Sequence, residues 1–346
     1  VNGSTITISL DAMGTDNAPL SEAAGAVEAV SQTEGLNVIL VGPEDKINSE
    51  LKKHNFDKSR ISVQNAAEVI GMHESATDAI KKKPDSSILT GLKIHKNKQA
   101  DAFVSAGNTG AIMAASLFIL GRIANVSRPT IGQIFPTDKG ITVVFDVGAN
   151  VDCKPAYLLE FAAMGTVYTE HIHNCKNPRV ALLSVGEEKS KGDTLTVEAY
   201  ELLKKSSLNF IGNVEGRDIL NGKAEVIVCD GFVGNVLIKF TESVLEVLIN
   251  KFRRYAAQSF FKRIWVGMMY GTLKKILKDF DYQEFGGVPL LGVNGISIIG
   301  HGRSTPKAIK NMILAAEKMA KAGINDIIRE KIKDIKQLVP KPDAIQ

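Results

Sequence analysis

Short apolar runs recur along the chain, each followed by a cluster of Gly, Asp, Asn or Ser and then by a stretch with a 3.6-residue apolar period. Runs of this kind predict strands at Thr5–Leu10, Leu36–Val41, Ile61–Gln64, Ala102–Ser105, Thr142–Asp146, Arg179–Ser184, Phe210–Gly212 and Gly295–Ile299. The intervening periodic stretches predict helices at Leu20–Ser31, across Lys81–Lys83, up to about Asn97, and at Ala111–Ile123, Ala156–Tyr168, Val197–Lys205 and Pro306–Lys321, with a polar helix and tail after that. Strands alternating with helices imply a three-layer α/β/α architecture around a mainly parallel, doubly wound sheet. No repeat or low-complexity linker interrupts the alternation, so residues 1–346 read as a single domain. The polar loops come after strands rather than before them, and are expected to converge on one edge of the sheet.

The stretch Val226–Val236, VIVCDGFVGNV, is the central case. A buried strand runs into Asp230-Gly231-Phe232-Val233-Gly234-Asn235, and a helical pattern follows from Val236 to Phe252. In open α/β sheets ligands bind beyond the carboxyl ends of the strands, where helix N-terminal N–H groups face an anion. Gly231 and Gly234 allow close backbone approach, while Asp230 and Asn235 supply an acceptor and a donor.

The other loops share this character. Asp11-Ala-Met-Gly14-Thr-Asp16 closes the first strand. Ser105-Ala-Gly107-Asn108-Thr109-Gly110-Ala111 is small, hydroxylated and followed by a helix, which suits a phosphate or oxyanion held by backbone N–H groups; a tight turn with no ligand is the bland reading. It lacks the Gly-Lys-Ser/Thr ending of a P-loop and the G-x-G-x-x-G spacing. Asp146-Val-Gly-Ala-Asn150-Val-Asp152 offers two carboxylates and an amide, for a ligand or for capping the helix that starts near Pro155. Gly186–Gly192 carries Lys189 and Lys191, either a solvated turn or a holder of phosphate and developing negative charge. His301 stands between glycines at a late strand end and is a further site candidate.

Charge changes the picture locally. The net charge is +4, but residues 251–280 hold eight Lys or Arg and one acid, leaving −3 for the remainder. A basic character confined to one segment argues against nucleic acid as a partner. Within it Phe260, Phe261, Ile264, Trp265, Met268, Met269, Leu273 and Leu277 form a broad apolar face rimmed by Lys and Arg. That is the pattern of an interfacial helix on an anionic membrane surface, and also of a dimer contact; Gly267 and Gly271 suggest a break or hairpin. The segment is taken as an amphipathic, basic helical extension over 251–285.

Three scattered cysteines do not make a disulfide framework and fit a reducing cytoplasm; neither a signal peptide nor a membrane span is expected. His171-Ile-His173 with Cys175 looks like a metal site at first sight, but lies before a strand and lacks an evident fourth ligand. Cys229 lies inside an apolar strand and reads as a packed thiol rather than a nucleophile. Neither metal nor cofactor is expected.

Seven motifs together give a resemblance. DAMGTD (11–16), SAGNTGA (105–111), DVGANVDCKP (146–155), NPRVALLSVGEE (177–188), NFIGNVEGRD (209–218), CDGFVGNV (229–236) and HGRS (301–304), in this order, resemble the PlsX family of bacterial acyl-acyl-carrier-protein:phosphate acyltransferases. Thr15, Val233 and Arg303 depart from residues usual in the family, Gly, Thr and Ser respectively. The resemblance implies a fold related to phosphotransacetylases and isopropylmalate-dehydrogenase-like enzymes, a homodimer, and conversion of acyl-acyl-carrier protein and inorganic phosphate to acyl phosphate. That product would feed the membrane glycerol-3-phosphate acyltransferase of phospholipid synthesis, and the protein would be cytoplasmic and peripherally associated with the inner face of the cell membrane.

Phosphate is already largely dianionic at neutral pH and needs little general-base help. Its attack on a thioester builds an oxyanion that needs donors, and positioning supplies much of the rest. Lys191 and Asn235 match family positions implicated in catalysis and are expected to stabilise that charge or the departing thiolate. Asp11, Gly14, Asp16, Ser105, Gly107, Asn108, Thr109, Gly110, Asp146, Asn150, Asp152, Asp230, Gly231, Gly234 and His301 are expected to bind substrate or phosphate, and no acyl-enzyme is expected. Two rivals are a short-chain phosphate acyltransferase using acyl-coenzyme A and a non-catalytic membrane scaffold.

Overall fold

In the computed structural model, which describes residues 5–276 and 282–338, each predicted apolar run is a strand; most are buried on both sides, while Ile61–Asn65 and Phe210–Val214 at the sheet edges are partly exposed. The chain order is β1 (Ile6–Asp11), α1 (Leu20–Gln32), β2 (Leu36–Gly42), α2 (Glu44–Leu51), β3 (Ile61–Asn65), α3 (Ala76–Lys82), α4 (Ser87–Lys96), β4 (Ala102–Ser105) and α5 (Thr109–Ile119). It continues through β5 (Thr130–Thr137), β6 (Gly140–Phe145), α6 (Pro155–Ile172), β7 (Val180–Leu183), α7 (Thr194–Lys205), β8 (Phe210–Val214), β9 (Val226–Val228), α8 (Gly231–Ala257) and α9 (Phe260–Ile276). Then come β10 (Val288–Leu291), β11 (Ser297–Ile299), α10 (Pro306–Ala322) and α11 (Ile324–Lys336).

One sheet takes all these strands in the order β3-β2-β1-β4-β11-β10-β5-β6-β9-β7-β8. Alternate residues of each strand feed opposite cores, as the two-residue period of a strand requires. Val143 and Phe145 join Val226, Val228, Val180 and Leu182 under α1, α6, α7, α10 and α11. Val144, Ile227 and Ala181 face the other way, with Phe103, under α3, α4 and α5. Helices on both faces of a mainly parallel sheet are the three-layer α/β/α fold expected from the sequence.

The direction of the strands departs from expectation. β3, β2, β1, β4 and β11 run parallel to one another, as do β6, β9, β7 and β8. Between the two blocks lie three antiparallel pairings in succession, β11–β10, β10–β5 and β5–β6. An odd number of reversals sets the blocks antiparallel, so their carboxyl ends point in opposite directions. The loops therefore do not converge on one edge. They form two groups, one beyond β1, β4 and β11 and one beyond β6, β9 and β7.

The basic extension also differs in its bounds. α8 begins at Gly231 and runs without interruption to Ala257, residues 258–259 break the helix, and α9 follows. Gly267 and Gly271 lie inside α9 and do not end it. Beyond its first turn α8 has no fully buried residue, only Leu237 and Ile238 packing partly buried against the core, and Phe260, Phe261, Ile264, Trp265, Met268 and Met269 of α9 are all exposed. Tyr255 and Trp265 meet edge to face at 6.3 Å, with the Lys262 ammonium 4.7 Å from the Tyr255 ring centre, which ties the two helices together near the break. Leu273 lies on α9; its side chain, and Leu277 altogether, lie outside the described residues. No helix among the described residues is long and apolar enough to cross a membrane.

Candidate active site

The group beyond β6, β9 and β7 is organised by Asp146, which is fully buried. One carboxylate oxygen accepts the N–H groups of Ala149 (3.0 Å), Gly148 (3.3 Å) and Ile131 (3.4 Å). The other accepts the backbone N–H and side-chain Nδ2 of Asn150, each at 2.7 Å. Burial pushes the Asp146 carboxyl up from its ordinary range, and these donors pull against that. Its lone pairs are spent on holding the 146–150 turn. Asn150 continues the scaffold: its Nδ2 donates to the Pro129 carbonyl (2.8 Å) and its own carbonyl accepts the Gly231 N–H (2.8 Å).

This turn seats the start of α8. Asp230 is its N-cap, with a side-chain oxygen accepting the Val233 N–H at 2.9 Å, so Gly231 to Asn235 form the first helical turn rather than a loop. A Cβ on Gly234 would lie 1.9 Å from the Asp146 carbonyl oxygen, so only glycine lets the helix come this close. Asn235 is exposed, its side chain lying over Gly148, where a Cβ would touch it at 3.6 Å, and making no hydrogen bond among the described residues. Asp152 is exposed on the same side.

The third loop, Gly186–Gly192, is pinned by its backbone and leaves its lysines free. Ser184 donates its hydroxyl to the Lys191 carbonyl (3.1 Å), Asn213 donates to the Glu188 carbonyl (3.0 Å), and Asp193 caps α7 through the Thr196 N–H (2.8 Å). The Lys191 side chain is exposed and makes no ion pair among the described residues. Between this loop and α8 lies a cleft of about 490 Å³, walled mainly by Leu158, Leu183, Leu195, Val236, Leu237 and Phe240. Gly192, next to Lys191, and Val233 and Val236, around Asn235, also line it. Cys229 is at its floor, with its thiol donating to the Asp146 carbonyl (3.4 Å) and pushed well above its ordinary pKa by burial, so it is a packed thiol and no nucleophile.

The other predicted residues lie beyond β1, β4 and β11. Asp11 is buried, accepting the Ser105 hydroxyl (2.6 Å) and the Met13 N–H (3.0 Å). Gly14 packs against the Ala106–Gly107 backbone, Asp16 donates its N–H to the Gly302 carbonyl (2.8 Å), and His301 Nδ1 accepts the Arg303 N–H (3.1 Å). Asn108 caps α5 through the Ala111 N–H (3.0 Å) and donates to the carbonyls of Gly71, Met72 and Glu74. Thr109 and Gly110 are exposed in the first turn of α5. Glu22, which no motif in the sequence marks, is buried beside this group, accepts the Thr15 N–H (2.7 Å) and is pushed up to about 7 by burial. An acid in a helical stretch of small residues was the only signal for it. The structure thus gathers Lys191, Asn235, Asp146, Asn150, Asp152, Asp230, Gly231 and Gly234 in one place. It puts Asp11, Gly14, Asp16, Ser105, Gly107, Asn108, Thr109, Gly110 and His301 in another. His171 and His173 belong to neither group, and no cluster of metal-ligating side chains occurs among the described residues.

An α/β/α chain with strand-end loops of this kind belongs to the architecture of the phosphotransacetylases. A phosphotransacetylase from Streptococcus pyogenes superposes with a TM-score of 0.61 at 19% identity, over 92% of this chain and 94% of that one. A branched-chain phosphotransacylase from Enterococcus faecalis gives 0.56 at 14% identity, over 91% and 99%. Sequence narrows this fold to a family. The model of the fatty acid synthesis protein family matches residues 6–327. The phosphate acyltransferase of Geotalea daltonii is 48% identical over 94% of each chain, and that of Dictyoglomus turgidum 49% identical over 95% of this chain and 98% of its own. The chain belongs to this family, the PlsX phosphate acyltransferases.

Proposed function

We propose that this phosphate acyltransferase takes a long acyl chain from acyl-acyl-carrier protein, and that the acyl phosphate formed serves phospholipid synthesis. The observation that carries the reading is the apolar cleft between the Gly186–Gly192 loop and α8, lined by Gly192, Val233 and Val236, the chain neighbours of Lys191 and Asn235, whose own side chains are exposed and unpaired among the described residues. The cleft offers the acyl chain a dry wall of aliphatic side chains. A phosphate oxygen attacks the thioester carbonyl carbon, the tetrahedral oxyanion collapses, the C–S bond breaks and the carrier thiolate leaves to take up a proton. Lys191 and Asn235 supply the donors for the oxyanion or the thiolate, without an acyl-enzyme.

The exposed apolar side chains of α8 and α9, set among Lys251, Arg253, Arg254, Lys262 and Arg263, support a homodimer contact and a membrane surface as partners of this segment. Acyl phosphate formed at the membrane would reach a membrane glycerol-3-phosphate acyltransferase directly.

The test is to supply inorganic phosphate with either long-chain acyl-acyl-carrier protein or acyl-coenzyme A and to trap acyl phosphate with hydroxylamine. Phosphate-dependent hydroxamate from the carrier thioester is expected. Product only from short-chain acyl-coenzyme A would replace this substrate assignment, and product from neither would point to a scaffold.

A further inference from the structure

The Ser105–Gly110 loop, chosen from composition as the phosphate cradle, opens on the edge opposite Lys191 and Asn235, and its polar side chains are committed inward. Ser105 serves Asp11 and the Gly107 N–H, and Asn108 serves the α5 cap and three carbonyls. The edge that carries Lys191 and Asn235 has a second cleft, of about 500 Å³, lined by Leu117, Arg122, Ser127, Arg128, Pro129 and Tyr157. We propose that this Arg122–Arg128 cleft binds a phosphate oxyanion used in acyl transfer. The inference rests on the acyl-transfer reading above.

Position is the first argument. Tyr157 and Leu158 are adjacent in the first turn of α6, and one lines each cleft, so both clefts border that turn. The Pro129 carbonyl holds Asn150, and Asn150 holds Gly231 at the start of α8, so two hydrogen bonds connect the arginine loop to the turn bearing Asn235.

Charge is the second. Two guanidinium groups and no carboxylate line the cleft, with Tyr157 from the first turn of α6 beside them. Arg122 donates to the Ser127 carbonyl, while Arg128 is exposed and makes no hydrogen bond or ion pair among the described residues. A planar guanidinium matches two oxygens of a phosphate at once, which a lysine does not.

Preorganisation is the third. Ser127 donates its N–H (2.7 Å) and hydroxyl (2.8 Å) to the fully buried Glu160, which also takes the Lys336 ammonium at 2.7 Å. The backbone next to Arg128 is fixed, and the one acid below the loop is already neutralised.

The chemistry fits two sources, inorganic phosphate or the phosphodiester of the carrier's prosthetic arm. The experiment compares the whole protein with Arg128→Gln and Arg128→Lys. It reads KM for phosphate, KM for the carrier thioester, and the ³¹P line width of inorganic phosphate alone titrated with protein. Because Arg128 is exposed and unpartnered, the substitutions leave folding intact. For inorganic phosphate, Arg128→Gln raises its KM about tenfold, a loss of about 1.4 kcal/mol, abolishes the line broadening, and Arg128→Lys recovers part of both. A rise confined to the thioester KM assigns the cleft to the carrier's phosphodiester instead. Unchanged values of both KM and line width overturn the proposal. If the wild-type protein forms no acyl phosphate yet broadens the phosphate line in an Arg128-dependent way, the acyl-transfer reading fails and the anion site stands.

Discussion

Lys191 and Glu22 show how differently two charged side chains are used. Lys191 is exposed, tethered through its carbonyl and without an ion pair at its ammonium among the described residues. Lys191→Ala therefore leaves the melting temperature unchanged and lowers turnover about 10²- to 10³-fold, the scale of losing one preorganised donor to a transition-state charge; near-normal turnover would remove it from the mechanism. Glu22 is buried, and burial raises its carboxyl to about 7 against an ordinary 4.5. The folded state thus holds the proton more tightly than the unfolded one. Its contribution is complete below pH 4.5 and is lost as pH rises through about 7. Melting temperature falls between pH 5 and pH 8 for the wild type, and Glu22→Gln flattens that slope; an unchanged slope would show that Glu22 does not titrate in this window. At this scale the sequence marked the right turns and was less able to assign tasks within them. Asp146 looked like a free carboxylate because its partners are mainly backbone N–H groups of its own turn, which no residue pattern displays.

Elements were legible where the period was regular and obscure where breakers interrupt it. β5 contains Gly132 and Pro136, and β10 contains Pro289, so neither was read as a strand. Gly132 is there because the Phe145 ring lies where its Cβ would be, within 2.0 Å. α2 was also missed, having only Ile47 and Leu51 buried in a polar stretch. α9 was legible within the amphipathic basic segment 251–285, because its apolar residues are too many for a solvated helix, and α8 as a separate helical pattern from Val236 to Phe252. Replacing Phe260, Phe261 and Trp265 by Ser removes three exposed apolar groups, each worth roughly 1.5–3 kcal/mol on full burial. In flotation with anionic vesicles the triple variant stays in the soluble fraction while the wild type floats, and both keep turnover in vesicle-free assays. Equal flotation of the two proteins would exclude these side chains from membrane contact.

For the whole molecule, the two missed strands matter most, since they reverse the sheet and divide the predicted site residues between two edges. Alternating strands and helices fixed the layers, while the sense of each block depended on two short strands with weak signals. The long α8 exposes Phe240, Val244, Val247, Leu248 and Phe252 in a single chain, more apolar surface than a solitary helix keeps in water. Sedimentation is expected to give twice the chain mass of 37.3 kDa, with Val244→Glu/Val247→Glu shifting the boundary toward one chain; a single-chain mass for the wild type would end the homodimer proposal. The block that begins with β1 is closed by β11 and by α10, which packs on α1 with Ile309 against Gly25. Everything from β5 to β10 is threaded between the opening and the completion of that block. During synthesis the first hundred residues must wait on the ribosome for a strand made almost two hundred residues later, with the flank of β4 open and sticky meanwhile. The enzyme's assembly is thereby timed by translation, and the nascent chain is at its most aggregation-prone just before its last elements emerge.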